Sequence, residues 1–303
     1  MIDIGRTIGA GFRVIAANPV AAGIWLAANT VLTFVAGAST LPMAGALTRI
    51  GRGAADTAPD PAQLFGALGP VYAVGFINLL LQIVLWAAVY RAVLRPRDSG
   101  VAYLRIGGDE LRLFVLAIVL GLIWFALAMV LGMVFVGLGV AAVGGLGRGG
   151  GPNVAVILLM IVFGLAMLCG FVFLSVRLAL AWPLTFLRRK IVLGEAWSLS
   201  RGHFWAMFAA ALVILVIYYI ASAITSGLMM SNMMGALQAG GDSLAAQRDM
   251  LAQFTTLTPM TALLMLLSGA VQTLFIILMA AGIADALRQL LPTDQEELAA
   301  IYA

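Results

Sequence analysis

Long apolar runs separated by short charged segments are the main pattern along this chain. Six runs of eighteen or more residues contain no charged side chain, and they cover 20–41, 68–90, 113–143, 154–176, 204–230 and 259–284. A helix rises about 1.5 Å per residue, so each run is long enough to cross the ~30 Å hydrocarbon core of a membrane. Backbone groups in lipid must pair within the chain, which strands of this composition would not do. The pattern predicts an all-α polytopic membrane protein with about six transmembrane helices, in a single integral membrane domain over 1–303.

The amino-acid composition supports the same class of protein. Apolar residues make up 63% of the chain and charged residues 10%, whereas about a quarter of the residues in an average soluble domain are charged. The single Cys169 lies inside the fourth run, and one cysteine with one histidine cannot supply the ligands of a metal ion. We therefore expect no metal and no other cofactor.

Amphipathic segments are predicted beside the spans. Residues 1–18 mix isoleucines with charged residues and end at an Asn-Pro pair, which predicts an interfacial helix before the first span. Residues 91–112 form a first cytoplasmic elbow, in which Ser99 or the Gly107-Gly108 pair starts a short interfacial helix. The polar residues expected on that short helix are Asp109, Glu110 and Arg112.

The cations are distributed unevenly between the connecting segments. If the N-terminus is inside, thirteen of the 17 Lys and Arg residues face the cytoplasm; the four that face outward are Arg49, Arg52, Arg148 and Arg248. Short cytoplasmic loops retain Lys and Arg, so this distribution predicts a membrane protein with both termini in the cytoplasm. The outer connections are then expected to be a flexible hairpin at 144–153 and a loop at 231–258 containing a short helix, SLAAQRDMLAQF.

A second cytoplasmic elbow is predicted at 183–203, after the fourth run. Arg177 and Arg188 would lie about 16 Å apart on a straight helix, which would leave one charge in hydrocarbon at a cost of about 2.5–3.5 kcal/mol. We therefore expect Arg177 to reach the inner interface and the chain to bend at Pro183. Residues 184–201 would then form one amphipathic helix on the membrane. Its apolar face would contain Leu184, Leu187, Ile191, Ala196 and Leu199, and its basic face Arg188, Arg189, Lys190 and Arg201.

The polar residues of the second elbow allow three interpretations. Glu195, Ser198 and Arg201 share a helix face, and with His203 they could form a proton-handling or nucleophilic site. Such a site needs several converging groups, and no second acid or histidine is visible in a neighbouring span, so we expect no catalytic residues. A topological anchor and a contact with lipid headgroups or a protein partner both stay open. The contact residues would be Arg177, Arg188, Arg189, Lys190, Glu195, Arg201 and His203, with a secondary group at Asp109, Glu110 and Arg112.

Most polar residues inside the runs are neutral. They are Asn29, Asn78, Gln82, Ser175, Ser222, Thr225, Ser226, Ser268, Gln272 and Thr273. Isolated amides of this kind usually form hydrogen bonds between membrane helices, but they also line solute pathways. A transporter is therefore expected to contain a continuous polar cavity lined by Asn78, Gln82 and Gln272. An enzyme is expected to contain converging titratable groups, and a scaffold neither feature.

The second elbow also carries a family resemblance. The order R…LAWP…GEAWSLSRGHFW within 177–205, together with YLRIGGDELRLF in the first elbow, precedes long apolar runs. This arrangement resembles uncharacterised bacterial multi-pass inner-membrane proteins related to the membrane domain of some glycerophosphodiester phosphodiesterases. The resemblance implies a six-helix membrane protein without an assigned reaction, and it brings no catalytic residue to this chain.

These observations favour a non-enzymatic protein that supports envelope or lipid processes through helix packing and contact with anionic lipids or a membrane-protein partner. The alternative is a small-molecule or lipid transporter, and an intramembrane enzyme comes third. The net charge of +4 follows from the cation distribution, and no folded basic module is visible, so nucleic acid is not an expected partner.

Overall fold

The computed structural model describes residues 2–39, 61–97, 100–105, 107–143, 154–239 and 259–291. Over these ranges the chain is all-helical, without a strand. The helices are α1 Ile4–Ala17, α2 Pro19–Ser39, α3 Pro61–Leu94, α4 Gly108–Val143, α5 Val154–Ala179, α6 Ala181–Arg188, α7 Leu193–Leu199, α8 Phe204–Ala239 and α9 Pro259–Leu290, with a 3-10 turn at Val101–Tyr103. Six segments are long and apolar enough to cross a membrane, and they include α2, α3, α4, α5, α8 and α9. The prediction of an all-α, six-span membrane protein is confirmed.

Helix α1 begins and ends where local chemistry requires. The Asp3 carboxylate caps it by accepting a hydrogen bond from the Arg6 backbone N–H at 3.0 Å. The helix ends at Asn18 because a residue before proline is disfavoured in the α conformation. One face is buried through small residues, and Arg6 and Arg13 are exposed. The helix is therefore amphipathic over the range expected from the sequence.

The contacts group the chain into two compact units. Unit A contains Asp3–Ile106 and Ala209–Ala286, and unit B contains Gly107–Phe208, Leu287–Ala303 and Met1–Ile2. Helices α4 to α7 make their main contacts with one another, which separates them from unit A. The single integral membrane domain over 1–303 stays a prediction. Hydropathy does not reveal which apolar helices are neighbours.

In unit A, glycines allow helices to cross closely. A Cβ atom added to Gly11 would lie 2.7 Å from the Cα atom of Leu278, and one added to Gly269 would lie 3.0 Å from the Cα atom of Thr30. Helices α1 and α2 therefore both pack tightly against α9, as small residues permit in membrane proteins. Trp25 is fully buried beside them and donates from Nε1 to the Ala102 carbonyl at 2.9 Å.

In unit B, the predicted bend and the predicted elbow helix were both wrong in detail. The break after α5 falls at Leu180, and Pro183 lies in the first turn of α6, where its missing N–H is tolerated. Arg189 adopts a left-handed conformation (φ 53°) that ends α6, so residues 184–201 are two short helices rather than one. Leu184 and Leu187 are buried within the protein together with the rest of residues 183–187, whereas Arg188 at the end of α6 is exposed.

The short interfacial helix predicted in the first elbow is also corrected. Asp109, Glu110 and Arg112 belong to the first turn of the long helix α4, which starts at Gly108 as the glycine pair indicated. The apolar run that follows simply continues the helix, because nothing in it interrupts the backbone hydrogen bonds.

Several expectations lie outside the described residues and stay predictions. They are the outer hairpin at 144–153, the SLAAQRDMLAQF helix, Ser99 as a helix start, and the outward cations Arg49, Arg52, Arg148 and Arg248.

Candidate functional site

A polar cavity of about 380 Å³ lies within unit A, between α2, α3, α8 and α9. It is lined by Asn29, Leu32, Thr33 and Ala36 of α2, Asn78 and Gln82 of α3, Tyr218, Ser222, Thr225 and Ser226 of α8, and Ser268, Val271 and Gln272 of α9. All of these side chains are uncharged. The lining includes Asn78, Gln82 and Gln272, the three residues that the sequence analysis named for the cavity of a transporter.

The helical repeat explains why these residues converge. On each helix the lining residues are spaced three or four apart, which places them on one face. Of the ten neutral polar residues singled out in the runs, only Ser175 and Thr273 do not line the cavity. Ser175 belongs to unit B, and Thr273 supports the lining from behind through Asn29.

Tyr218 and Thr33 line the cavity but were missed from the sequence. Tyr218 lies in an aromatic-rich stretch, yet Ser222, Thr225 and Ser226 follow it at the spacing of one helix face. Thr33 likewise follows Asn29 by four residues. A search for polar residues at helical spacing within apolar runs could have found both.

A hydrogen-bonded relay joins three helices behind and along the cavity. Thr273 Oγ1 donates to the Gly269 carbonyl at 2.7 Å, and Asn29 Nδ2 lies 3.2 Å from Thr273 Oγ1. Gln82 Nε2 donates to Asn29 Oδ1 at 3.2 Å and to Asn78 Oδ1 at 3.3 Å. The relay therefore links α9, α2 and α3 through neutral side chains.

The opposite wall is formed by Tyr218 and Gln272. The Tyr218 hydroxyl donates to Gln272 Oε1 at 3.4 Å, and the Tyr218 ring packs on Phe275 with centroids 4.5 Å apart. These contacts orient the Gln272 amide, because its carbonyl oxygen is held by the tyrosine. Its nitrogen is left as a hydrogen-bond donor.

Asp285 and Arg91, two buried charged residues of unit A, do not belong to this lining. The Asp285 side chain is 5% exposed and forms ion pairs with Arg6 Nε at 3.4 Å and Arg13 Nη2 at 3.8 Å. Arg91 is buried and donates to the Tyr103 carbonyl. These contacts tie α1 to α9 and the end of α3 to the 3-10 turn, so they serve packing.

In unit B, protein groups surround Arg177. Its Nη1 donates to the Trp197 carbonyl and to Ser200 Oγ, each at 3.3 Å, and its guanidinium lies 5.2 Å from the Phe173 ring centroid and 5.1 Å from the Trp197 ring centroid. Arg177 therefore holds α7 against α5, and its expected position at the inner interface stays a prediction. A headgroup role for this residue stays a prediction.

The remaining residues of the second elbow divide into two groups. Arg188 and Glu195 form an ion pair at 3.0 Å between α6 and α7. Arg189, Lys190 and Arg201 are exposed. Arg188 is exposed as well, but its guanidinium is already paired with Glu195.

The residues of the catalytic interpretation do not converge. Ser198 Oγ donates to the Glu195 carbonyl at 2.8 Å, and His203 Nδ1 lies 3.2 Å from the Arg201 carbonyl. Ser198 and His203 therefore contact local backbone and Glu195 pairs with Arg188, whereas a nucleophile and its base would contact each other. Among the described residues, no three His, Cys, Asp or Glu side chains could hold a metal ion.

The secondary group in the first elbow starts helix α4. Glu110 is buried and its Oε2 accepts from the Gly107 backbone N–H at 3.0 Å, as in a capping box. Arg112 pairs with Asp109 at 2.8 Å, one helical turn away. The three side chains thus stabilise the helix start, and their contact with lipid stays a prediction.

The chain matches no protein-family model, no curated protein and no solved structure. The resemblance seen in the elbows therefore stays a prediction.

Proposed function

We propose that this chain is a membrane transport protein that binds small uncharged polar solutes in the cavity of unit A and passes them across the bilayer. The observation that carries the proposal is the 380 Å³ cavity, with a neutral polar lining supplied by four membrane-length apolar helices.

The depth of the cavity supports this function. On α3, Asn78 lies about 15 Å from the start of the span at Leu68, and Gln82 lies about 18 Å from its end at Leu94. Both amides are therefore near the middle of a span, where solute sites of transporters are found. Water cannot reach such groups through hydrocarbon, so a cavity is needed to solvate them.

The size and polarity of the cavity indicate its occupant. At ~30 Å³ per water molecule, the cavity corresponds to roughly a dozen waters or one small solute. An empty space lined by polar groups would leave them unsatisfied at about 1–3 kcal/mol each. A scaffold protein gains nothing from unsatisfied polar groups, whereas a solute pathway requires polar groups whose hydrogen-bond partners can change.

The cavity can be blocked without changing its polar residues. Ala36→Phe adds a ring to the lining on α2, and we expect the variant to lose about tenfold or more of the glycerol flux, equivalent to ~1.4 kcal/mol. The flux is measured by light scattering of proteoliposomes after a glycerol gradient is imposed. Protein-free liposomes provide the baseline.

Ala27→Phe is the matched control for this blocked variant. Ala27 lies on α2 and is exposed, so the same ring is added outside the cavity. We expect its flux to equal that of the original chain. Equal fluxes for all three proteins, or a flux no faster than the baseline, would contradict the transport function.

A second candidate function is contact with anionic lipids through the elbow of unit B. We propose that Arg189, Lys190 and Arg201 bind lipid phosphates, since these cations are exposed beside the exposed apolar side chains Ile191 and Trp205. This function would support envelope or lipid processes, or a membrane-protein partner. We further propose that the protein lies in a bacterial inner membrane, that it is not an enzyme, and that it is related to the membrane domains that its elbows resemble.

A further inference from the structure

The relay behind the cavity has a direction, because it ends on a group that can only accept. The Gly269 carbonyl accepts from the Thr273 hydroxyl at 2.7 Å. A hydroxyl has one proton, so Thr273 Oγ1 must act as the acceptor toward Asn29, at 3.2 Å. Asn29 therefore presents its nitrogen to Thr273 and its oxygen to α3.

This direction orients the two amides of α3. Asn29 Oδ1 accepts from Gln82 Nε2 at 3.2 Å, and the same Gln82 nitrogen donates to Asn78 Oδ1 at 3.3 Å. Both N–H groups of Gln82 Nε2 then donate hydrogen bonds, and Asn78 Oδ1 accepts one of them. The groups left over within the described residues are the Gln82 oxygen, an acceptor, and the Asn78 nitrogen, a donor.

We infer that Asn78 and Gln82 form the recognition site for an uncharged solute that carries a hydrogen-bond donor next to an acceptor, as hydroxyl groups and amides do. The two residues are four apart on one face of α3, so one small solute can contact both. The Gln272 nitrogen offers another donor across the cavity. This inference rests on the proposed transport function and specifies its substrate class.

The same lining explains why ions should be excluded. Among the residues that the structure describes, no charged side chain lines the cavity, so an ion leaving water would find no opposite charge there. A neutral solute exchanges its hydrogen bonds with water for bonds to the amides. The cavity should therefore pass glycerol or urea and reject potassium and chloride.

The test compares fluxes of glycerol, urea and potassium chloride through proteoliposomes containing the full chain. Asn78→Asp keeps the oxygen that accepts from Gln82 and removes the donor nitrogen. We expect it to lower the neutral-solute flux about five- to a hundredfold, the range for leaving a polar partner unsatisfied. A larger loss for glycerol indicates a polyol substrate, and a larger loss for urea indicates an amide substrate.

Asn18→Asp is the matched control, because Asn18 lies outside the lining and its oxygen accepts from the Tyr103 hydroxyl at 3.2 Å. Its fluxes should be unchanged. Gln272→Glu provides a second variant, since it also keeps the oxygen that accepts from Tyr218 and removes a donor. If Asn78→Asp does not insert into the membrane, Gln272→Glu is used for the test instead.

The outcomes separate this inference from the proposed function. A glycerol or urea flux that neither donor-removing variant lowers would overturn the recognition site and leave transport standing. Potassium chloride passing as readily as glycerol would also overturn it. No flux of any probe above protein-free liposomes would overturn the transport function and this inference together.

Discussion

Asn29 connects three helices through one amide. It is 2% exposed, it contacts Thr273 of α9, and it accepts from Gln82 of α3. An amide buried in apolar surroundings is costly unless all its groups are paired, so its neighbours must be placed to within a few tenths of an ångström. Single polar residues can therefore specify which helices pack together.

Arg177 has a comparable role in unit B. Its guanidinium joins two aromatic rings of α5 and α7 and donates to two oxygens of α7. Cation–π contacts contribute about 0.5–2 kcal/mol and charged hydrogen bonds about 1.5–3 kcal/mol each. The side chain is thus a structural connection between helices.

We predict that Arg177→Leu lowers the stability of the α7 segment by roughly 2–4 kcal/mol, because both types of contact are lost. The measurement is limited proteolysis of the purified protein in mild detergent, with cleavage expected between residues 189 and 203. Arg201→Leu is the control, since Arg201 is exposed. Equal protease resistance of the two variants would contradict the role of Arg177.

At the scale of elements, the segment from α6 to α7 differs most from its sequence-based expectation. A strong amphipathic pattern predicted one surface helix, whereas residues 183–187 of α6 are all buried. The left-handed Arg189 and the Arg188–Glu195 ion pair form a compact turn between two short helices. This turn leaves Arg189 and Lys190 exposed together.

We predict that replacing Arg189 and Lys190 by glutamine removes about 2 kcal/mol of attraction to an anionic leaflet, at about 1 kcal/mol per cation. The ion pair of Arg188 is untouched, so the fold should persist. The measurement is the amount of anionic lipid retained after purification in mild detergent, together with proteolysis in inside-out vesicles.

Arg188→Gln is the control for this pair, since it removes a cation that is already paired within the protein. We expect it to retain more anionic lipid than the double variant. Unchanged lipid retention in the double variant would leave the basic residues as a topological signal only.

For the whole molecule, large apolar side chains are exposed along most of the long helices. Examples are Leu122 and Phe125 of α4 and Val162 of α5, each more than half exposed. Such surfaces are unfavourable in water and are expected where lipid surrounds the protein. They agree with six membrane-crossing helices.

We predict that, in a variant lacking Cys169, cysteines at Gly150 and Gly241 react with an impermeant thiol reagent in intact cells, while cysteines at Ser99 and Thr293 do not. The reason is the excess of Lys and Arg in the segments assigned to the cytoplasm. Mass spectrometry or gel shift measures the labelling. Labelling at Ser99 from outside would reverse the orientation.

The sequence by itself determined the class of protein, the six apolar helices and the ends of α1. These are local properties, because the length of an apolar run and the residue before a proline act within one segment. It also identified Asn78, Gln82 and Gln272 as the residues that would line a polar cavity, since uncharged amides in an apolar run are visible without a structure.

Only the tertiary structure decided which of those residues meet. Asn29 and Thr273 are separated by 244 residues, and Arg6 and Asp285 lie near opposite ends of the chain. An apolar helix face can pack against lipid or against any other apolar face, so it does not specify which helix becomes its neighbour. The neighbours are specified by the close contacts at Gly11 and Gly269 and by hydrogen bonds between buried amides. These contacts depend on distances between helices, which the sequence of one helix does not contain.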